Sequence, residues 1–237
     1  MRLLQHAIAA LSFSLVAIVA AATPASPQNG VDYRTLDKAQ PTDSGEKVEI
    51  TEFFWYSCDH CNKFDHPLDA WVKKQSNNIV FKRVPVAFRE SFVPQQKLFY
   101  TLEAMGKLDQ LHGKVFNAIH VERNRLDNAT AITDWAVKQG LDKQKFLDVF
   151  NSFGVQTKVA RATQLQNAYR VDGVPLIAVD GRYLTSPSIV GAGMGRQSEA
   201  TLHVATFQVM DWLVARGSKE KGTTTSPVAS DTGVKKQ

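Results

Sequence analysis

The sequence has 237 residues, with 28 Lys and Arg against 23 Asp and Glu for a net charge of +5, 43% hydrophobic residues and two cysteines. That balance excludes collagen-like, coiled-coil and wholly disordered chains, and two cysteines make at most one internal bridge, so a multi-disulfide scaffold is excluded as well. A chain of this length can stabilise itself by apolar burial, which leaves the cysteines needing another explanation.

Arg2 is followed by an uncharged, mostly apolar run from Leu3 to Ala22 that ends in three alanines. This has the form of a signal peptide over residues 1–22, and the prolines at 24 and 27 favour cleavage over a retained membrane anchor. Export would place the remaining chain in an oxidising compartment, where disulfides persist. Residues 23–46 form a polar, Pro-punctuated N-terminal extension, too short for a dimerisation module, and the core is expected to begin at Lys47. Val48 to Trp55 (VEITEFFW) has strand composition, and Cys58 to Lys74 places Phe64, Leu68, Trp71 and Val72 at helical spacing. A second strand, Ile79 to Val84, follows the turn at Ser76-Asn77-Asn78, and a helix of that length makes the two strands parallel.

Helical periodicity then runs through Pro94–Gly106, Lys107–His120, Ala129–Gln139, Lys143–Ser152 and Val155–Tyr169, a helical insertion over about 90–170 with Gly140 as a C-cap and Asp142 as an N-cap. Strands at Pro175–Val179 and Arg182–Leu184 flank the turn Asp180-Gly181, and a last helix covers about Ser198 to Arg216. The expected architecture is one α/β domain, residues 47–217, interrupted by helices. Residues 218–237, rich in Thr, Ser, Gly and Lys, read as a disordered, solvated tail. The positive charge outside that tail is scattered, which argues against a nucleic-acid partner.

Cys58-Asp59-His60-Cys61 falls where a strand has ended and a helix begins, so Cys58 faces unpaired backbone N–H groups that favour its thiolate. A structural disulfide across so short a loop would restrict the unfolded chain by only roughly 2 kcal/mol. A metal site would need four ligands, and beyond the sulfurs only His60 and His66 are near in sequence. A redox dithiol fits the strand–CxxC–helix order best. Glu52 stands in line with Val48, Ile50 and Phe54; either that row is buried and the carboxyl has a raised pKa suited to relaying the Cys61 proton, or the row is solvated and Phe53 and Trp55 point inward. Asp65 belongs either to the same acidic cluster or to the helix's wet face. His60 is placed to stabilise the thiolate from the first helical turn, whereas His66, His112, His120 and His203 read as ordinary histidines.

The segments EFFWYSCDHCNKFDHPLDAW (Glu52 to Trp71), FKRVPVAF (Phe81 to Phe88) and GVPLIAVDGRY (Gly173 to Tyr183) resemble the DsbA family of bacterial periplasmic thiol:disulfide oxidoreductases, in order and over about Lys47 to Arg216. The resemblance implies a thioredoxin fold with an inserted helical domain, Cys58 as nucleophile, Cys61 as its buried partner, Glu52 and Asp65 as acids beneath the site, and a cis Pro175 with Val174 lining the substrate groove. It implies no cofactor and no metal. It further implies a monomer that oxidises reduced exported proteins and is itself reoxidised by a quinone-linked membrane protein of the DsbB type. A reductase or isomerase on the same fold is the alternative, and a peptide-binding chaperone a more distant one. The family's usual Pro-His between the cysteines is here Asp59-His60, which puts a carboxylate beside Cys58 that would raise its pKa and weaken the oxidant. The helix proline, Pro67, stands one position later than is usual.

Overall fold

The computed structural model describes residues 26–224; the expected signal peptide and the chain after 224 lie outside the described residues. The order is β1 (Arg34–Thr35), β2 (Val48–Phe54), α1 (Asp59–Gln75), β3 (Ile79–Pro85), α2 (Val93–Ala104), α3 (Leu108–His120), α4 (Ala129–Lys138), α5 (Lys143–Phe150), α6 (Phe153–Ala168), β4 (Leu176–Val179), β5 (Tyr183–Thr185), α7 (Pro187–Gly191) and α8 (Glu199–Thr224). Five strands lie in the order β1-β5-β4-β2-β3. β2 and β3 are parallel across the α1 crossover, β4 runs antiparallel to β2, and β5 runs antiparallel to β4. This is a thioredoxin fold, with α2 to α6 forming the helical insertion between β3 and β4.

Helices cover both faces of the sheet. Val48, Ile50, Ile177 and Val179 pack with Phe64, Leu68 and Trp71 of α1 and Val209, Met210 and Leu213 of α8. Phe53, Val84, Leu176 and Ala178 pack with the insertion through Leu98, Phe99 and Leu102. Each such side chain stabilises the fold by roughly 2 kcal/mol. A central strand covered on both faces has no wet row, so β2 buries all seven of its residues, and the sequence-level choice between a buried and a solvated row for Glu52 does not arise.

Two boundaries differ from the sequence expectation. The core does not begin at Lys47: β1 closes the sheet edge on β5, Tyr33 packs edge-on against Tyr183 at 5.7 Å, and the Thr185 hydroxyl donates to the Asp32 carbonyl at 2.8 Å. The Asp180-Gly181 turn forms as expected, both residues at positive φ, and a Cβ on Gly181 would lie 2.2 Å from the Gln40 carbonyl oxygen, so the extension also fixes this glycine. At the other end α8 continues through Gly217 to Thr224, so 218–224 is helix rather than disordered tail. Inside the helix, Gly217 gives Val48 room to approach: a Cβ there would stand 3.2 Å from Val48 Cγ2. The added turn is held by Lys221 Nζ on Asp180 Oδ1 at 2.9 Å and by the Tyr183 hydroxyl donating to Glu220 Oε1 at 2.8 Å.

Candidate active site

The central strand β2 ends at Phe54 and α1 starts five residues later, with Cys58 as its N-cap in extended conformation (φ −82°, ψ 117°). The Cys61 amide donates to Cys58 Sγ at 3.3 Å, so the sulfur satisfies one of the N–H groups that a helix start leaves open. Cys58 is half-buried, Cys61 is fully buried, and both are free thiols. The Cys61 thiol, then the backbone N–H groups of Cys61 and His60, then the His60 charge pull the Cys58 pKa down to about 6 against the opposing effect of burial. Burial pushes Cys61 well above the ordinary thiol range. One helical turn thus separates a thiolate-prone sulfur from one that keeps its proton.

The loop before β4 comes to the same place. The Val174-Pro175 peptide is cis, and the Cys58 thiol donates to the Val174 carbonyl at 3.4 Å. Val174 and Pro175 also line an apolar cavity of about 300 Å³ with His60, Pro187, Leu202 and His203.

Beneath the cysteines lies a buried charge cluster that the sequence reading only half identified. Glu52 is 1% exposed, and its register partner on β3 is Arg83. Arg83 Nε donates to Glu52 Oε2 at 2.9 Å, and its Nη2 donates to Asp65 Oδ1 at 3.1 Å and to Asp69 Oδ1 at 2.6 Å. Glu52 is therefore not isolated, yet burial, with some help from Asp65, outweighs Arg83 and raises its pKa to about 7. Burial works against the Arg83 charge, and the carboxylates of Glu52 and Asp65 more than offset it.

Asp65 has a further partner in His112 of α3. A carboxylate only accepts, so His112 Nε2–H donates to Asp65 Oδ1 at 3.1 Å, and Nδ1 accepts from the Tyr56 hydroxyl at 2.8 Å. Burial keeps this imidazole neutral by pushing its pKa down. Burial also opposes ionisation of Asp65, but the His112 hydrogen bond and the nearby cations hold its pKa below the usual value. His112 is thus a member of the cluster rather than an ordinary histidine. Its place on α3 beside Leu111, Val115 and Phe116, all buried, was the available signal.

At the rim, the expected carboxylate beside the sulfur is engaged elsewhere. Asp59 is exposed and binds Lys63 Nζ at 2.6 Å, four residues along α1. The His60 ring turns to Glu199, its Nδ1 2.6 Å from Oε1, while Glu199 Oε2 binds Lys63 at 3.0 Å. Pro67 sits inside α1, which continues across it to Gln75.

A cap cysteine of lowered pKa, a buried second sulfur one turn on and a cis-proline loop facing the first define a thiol–disulfide exchange site on a thioredoxin fold. A family model described as a DSBA-like thioredoxin domain matches residues 49–205. The chain is 43% identical over 212 residues to the thiol:disulfide interchange protein DsbA of Burkholderia cepacia, covering 89% of this chain and 95% of that protein. It is 40% identical over 212 residues to the corresponding protein of Bordetella parapertussis, covering 90% and 96%. The crystal structure of Pseudomonas aeruginosa DsbA superposes with a TM-score of 0.72 at 32% identity, covering 83% of this chain and 96% of that one. The chain belongs to the DsbA-like family and is a thiol:disulfide oxidoreductase.

Proposed function

We propose that the protein introduces disulfide bonds into reduced proteins exported to the periplasm, acting as a monomer with Cys58 as nucleophile and Cys61 as resolving partner. The observation that carries this reading is the asymmetry of the two sulfurs: Cys58 at about 6, Cys61 buried and raised. A sulfur that readily becomes thiolate is a good leaving group and stabilises the reduced enzyme, which is what an oxidant requires.

In the oxidised enzyme a substrate thiolate attacks Cys58 Sγ and expels Cys61 as a thiolate, which takes up a proton. Glu52, titrating at about 7 and near enough to act on Cys61, supplies it. The substrate's second thiolate then attacks its own sulfur in the mixed disulfide and expels Cys58 as a thiolate. Two electrons pass from substrate to enzyme, which is left as the dithiol. The substrate backbone pairs beside Val174 and Pro175, a mode largely blind to side chains. Asp65 and Asp59 tune the charge around the sulfurs, and a membrane protein of the DsbB type returns the enzyme to the disulfide. Sulfur exchange of this kind draws on no metal or organic cofactor, and the substrates are proteins rather than nucleic acids.

The test is the equilibrium of the Cys58–Cys61 couple with glutathione, together with oxidation of a reduced two-cysteine peptide. A potential more oxidising than that of protein disulfide isomerase, about −180 mV, is expected. A potential as low as that of thioredoxin, about −270 mV, overturns the oxidase reading in favour of a reductase.

A further inference from the structure

His60 and Glu199 are 139 residues apart in sequence and meet at the mouth of the site. Glu199 is the first residue of α8, and its two oxygens are divided between His60 Nδ1 at 2.6 Å and Lys63 Nζ at 3.0 Å. Lys63 in turn holds Asp59 at 2.6 Å. We propose that Glu199 is a positioning residue for the exchange reaction: it anchors the His60 ring through Nδ1–H and keeps the imidazole charged beside Cys58, while Lys63 ties down the other Glu199 oxygen and the Asp59 carboxylate.

An imidazole on an exposed helix start is otherwise free to rotate about χ2, and at neutral pH it is mostly uncharged. The Glu199 hydrogen bond removes that freedom and raises the His60 pKa against the opposing effect of burial. The charged and titratable groups facing His60 are Cys58, Asp59 and Lys63 at its own end of α1 and Glu199 on α8. His203, one turn further along α8, stacks edge-on against Phe64 at 5.1 Å, and burial pushes its pKa down, so it adds no competing cation. His120 of α3 acts on Asp59 rather than on His60. Of the four linked side chains, His60 is the one whose charge figures among the main causes that lower the Cys58 pKa. Reduction of the Cys58–Cys61 disulfide takes two electrons from the substrate dithiol and one proton, leaving a thiolate at Cys58 and a thiol at Cys61. A charged His60 therefore favours the reduced enzyme, and Glu199 acts on the potential through it.

This inference rests on the thiol-exchange reading, and the two fail separately. The experiment compares wild type, Glu199→Gln, His60→Ala and the double variant, reading the Cys58 pKa from the ultraviolet absorbance of its thiolate and the equilibrium with glutathione. Glu199→Gln should raise the Cys58 pKa by about half a unit and move the equilibrium roughly threefold toward the oxidised enzyme. In the His60→Ala background the same substitution should give no rise, since only the direct repulsion between Glu199 and the thiolate is then removed. An unchanged or lowered Cys58 pKa in Glu199→Gln, or an equal rise with and without His60, overturns the proposal. Titration of the His60 ring by NMR in the unaltered reduced protein gives a second reading: a pKa at or below the ordinary imidazole value of about 6.5 also overturns it. Failure of the wild-type enzyme to oxidise a reduced peptide would instead sink the oxidase reading, leaving these pKa comparisons intact.

Discussion

Cys58 and Cys61 titrate in opposite directions because one turn of helix carries the second sulfur away from the open N–H groups and into the core. Alkylation of the reduced protein is therefore expected to label Cys58 with a midpoint near pH 6, and Cys61→Ser should accumulate mixed disulfides through Cys58; preferential labelling of Cys61 at mildly acidic pH would reverse the assignment. Glu52 titrates at about 7 in the fold against 4.5 for the free side chain, so the folded protein holds this proton more tightly than the unfolded chain does. The stability gained from that proton is complete below about pH 4.5 and is lost as pH rises through about 7, in all about 3 kcal/mol. Glu52→Gln should remove this slope, so that denaturant melts of the variant and the parent converge or cross between about pH 5 and pH 8. Parallel pH profiles would show that Glu52 stays ionised throughout. The pH dependence of thiol exchange should flatten in the same variant, since the carboxyl proposed to supply the Cys61 proton is gone. At Asp59 the pairing with Lys63 blunts the repulsion expected from the sequence. Asp59→Asn should shift the Cys58 pKa by less than about half a unit, and a larger fall would mean that the carboxylate acts directly on the sulfur.

At the scale of the elements, β3 matters through one side chain. Arg83 is the only cation bonded to Glu52, Asp65 and Asp69 together among the described hydrogen bonds, so Arg83→Met leaves buried carboxylates facing one another. The expected cost is about 3–5 kcal/mol, a fall in melting temperature on the order of 10 °C by circular dichroism, with Arg83→Lys losing less because one cation remains. A melt unchanged by Arg83→Met would show that the carboxyls simply take up protons. The sequence displayed β2, α1, β3 and the five insertion helices because each carries its own periodicity, with caps such as Asp142, which accepts from the Lys145 amide at 2.8 Å, marking the breaks. The dithiol was legible through its short motif, whereas the proline loop was legible only through the family resemblance. Arg83 as the partner of Glu52 was not, because parallel register is set by pairing between strands; the adjacent cations Lys82 and Arg83 inside a strand were the available signal. β1 has two residues and no pattern of its own; it exists because β5 offers an unpaired edge. Glu199 reaches the site only through the docking of α8, for which no local feature of the sequence gives a sign.

For the whole molecule, the segment before β2 acts as a clasp on the late half of the chain. Tyr33 lies between Tyr183 and Trp212, each at 5.7 Å, and its hydroxyl accepts from Arg216 at 3.2 Å. Tyr33→Ala should cost about 3–5 kcal/mol, close to the loss for other buried aromatics, and should loosen α8 as well as the sheet edge; a loss under about 1 kcal/mol in denaturant melts would mean that the clasp is dispensable. The same long-range construction has a temporal side. Val174, whose carbonyl receives the Cys58 thiol, follows that cysteine by 116 residues, with the entire helical insertion between them. On the proposed export route, a chain emerging N-terminus first from a translocation channel shows both sulfurs to the surrounding solution long before the proline loop or α8 has arrived. During that interval the cysteines are those of an ordinary client, open to oxidation by a finished copy of the same enzyme, and the newcomer acquires its own oxidising character only when the chain from the proline loop onward has docked.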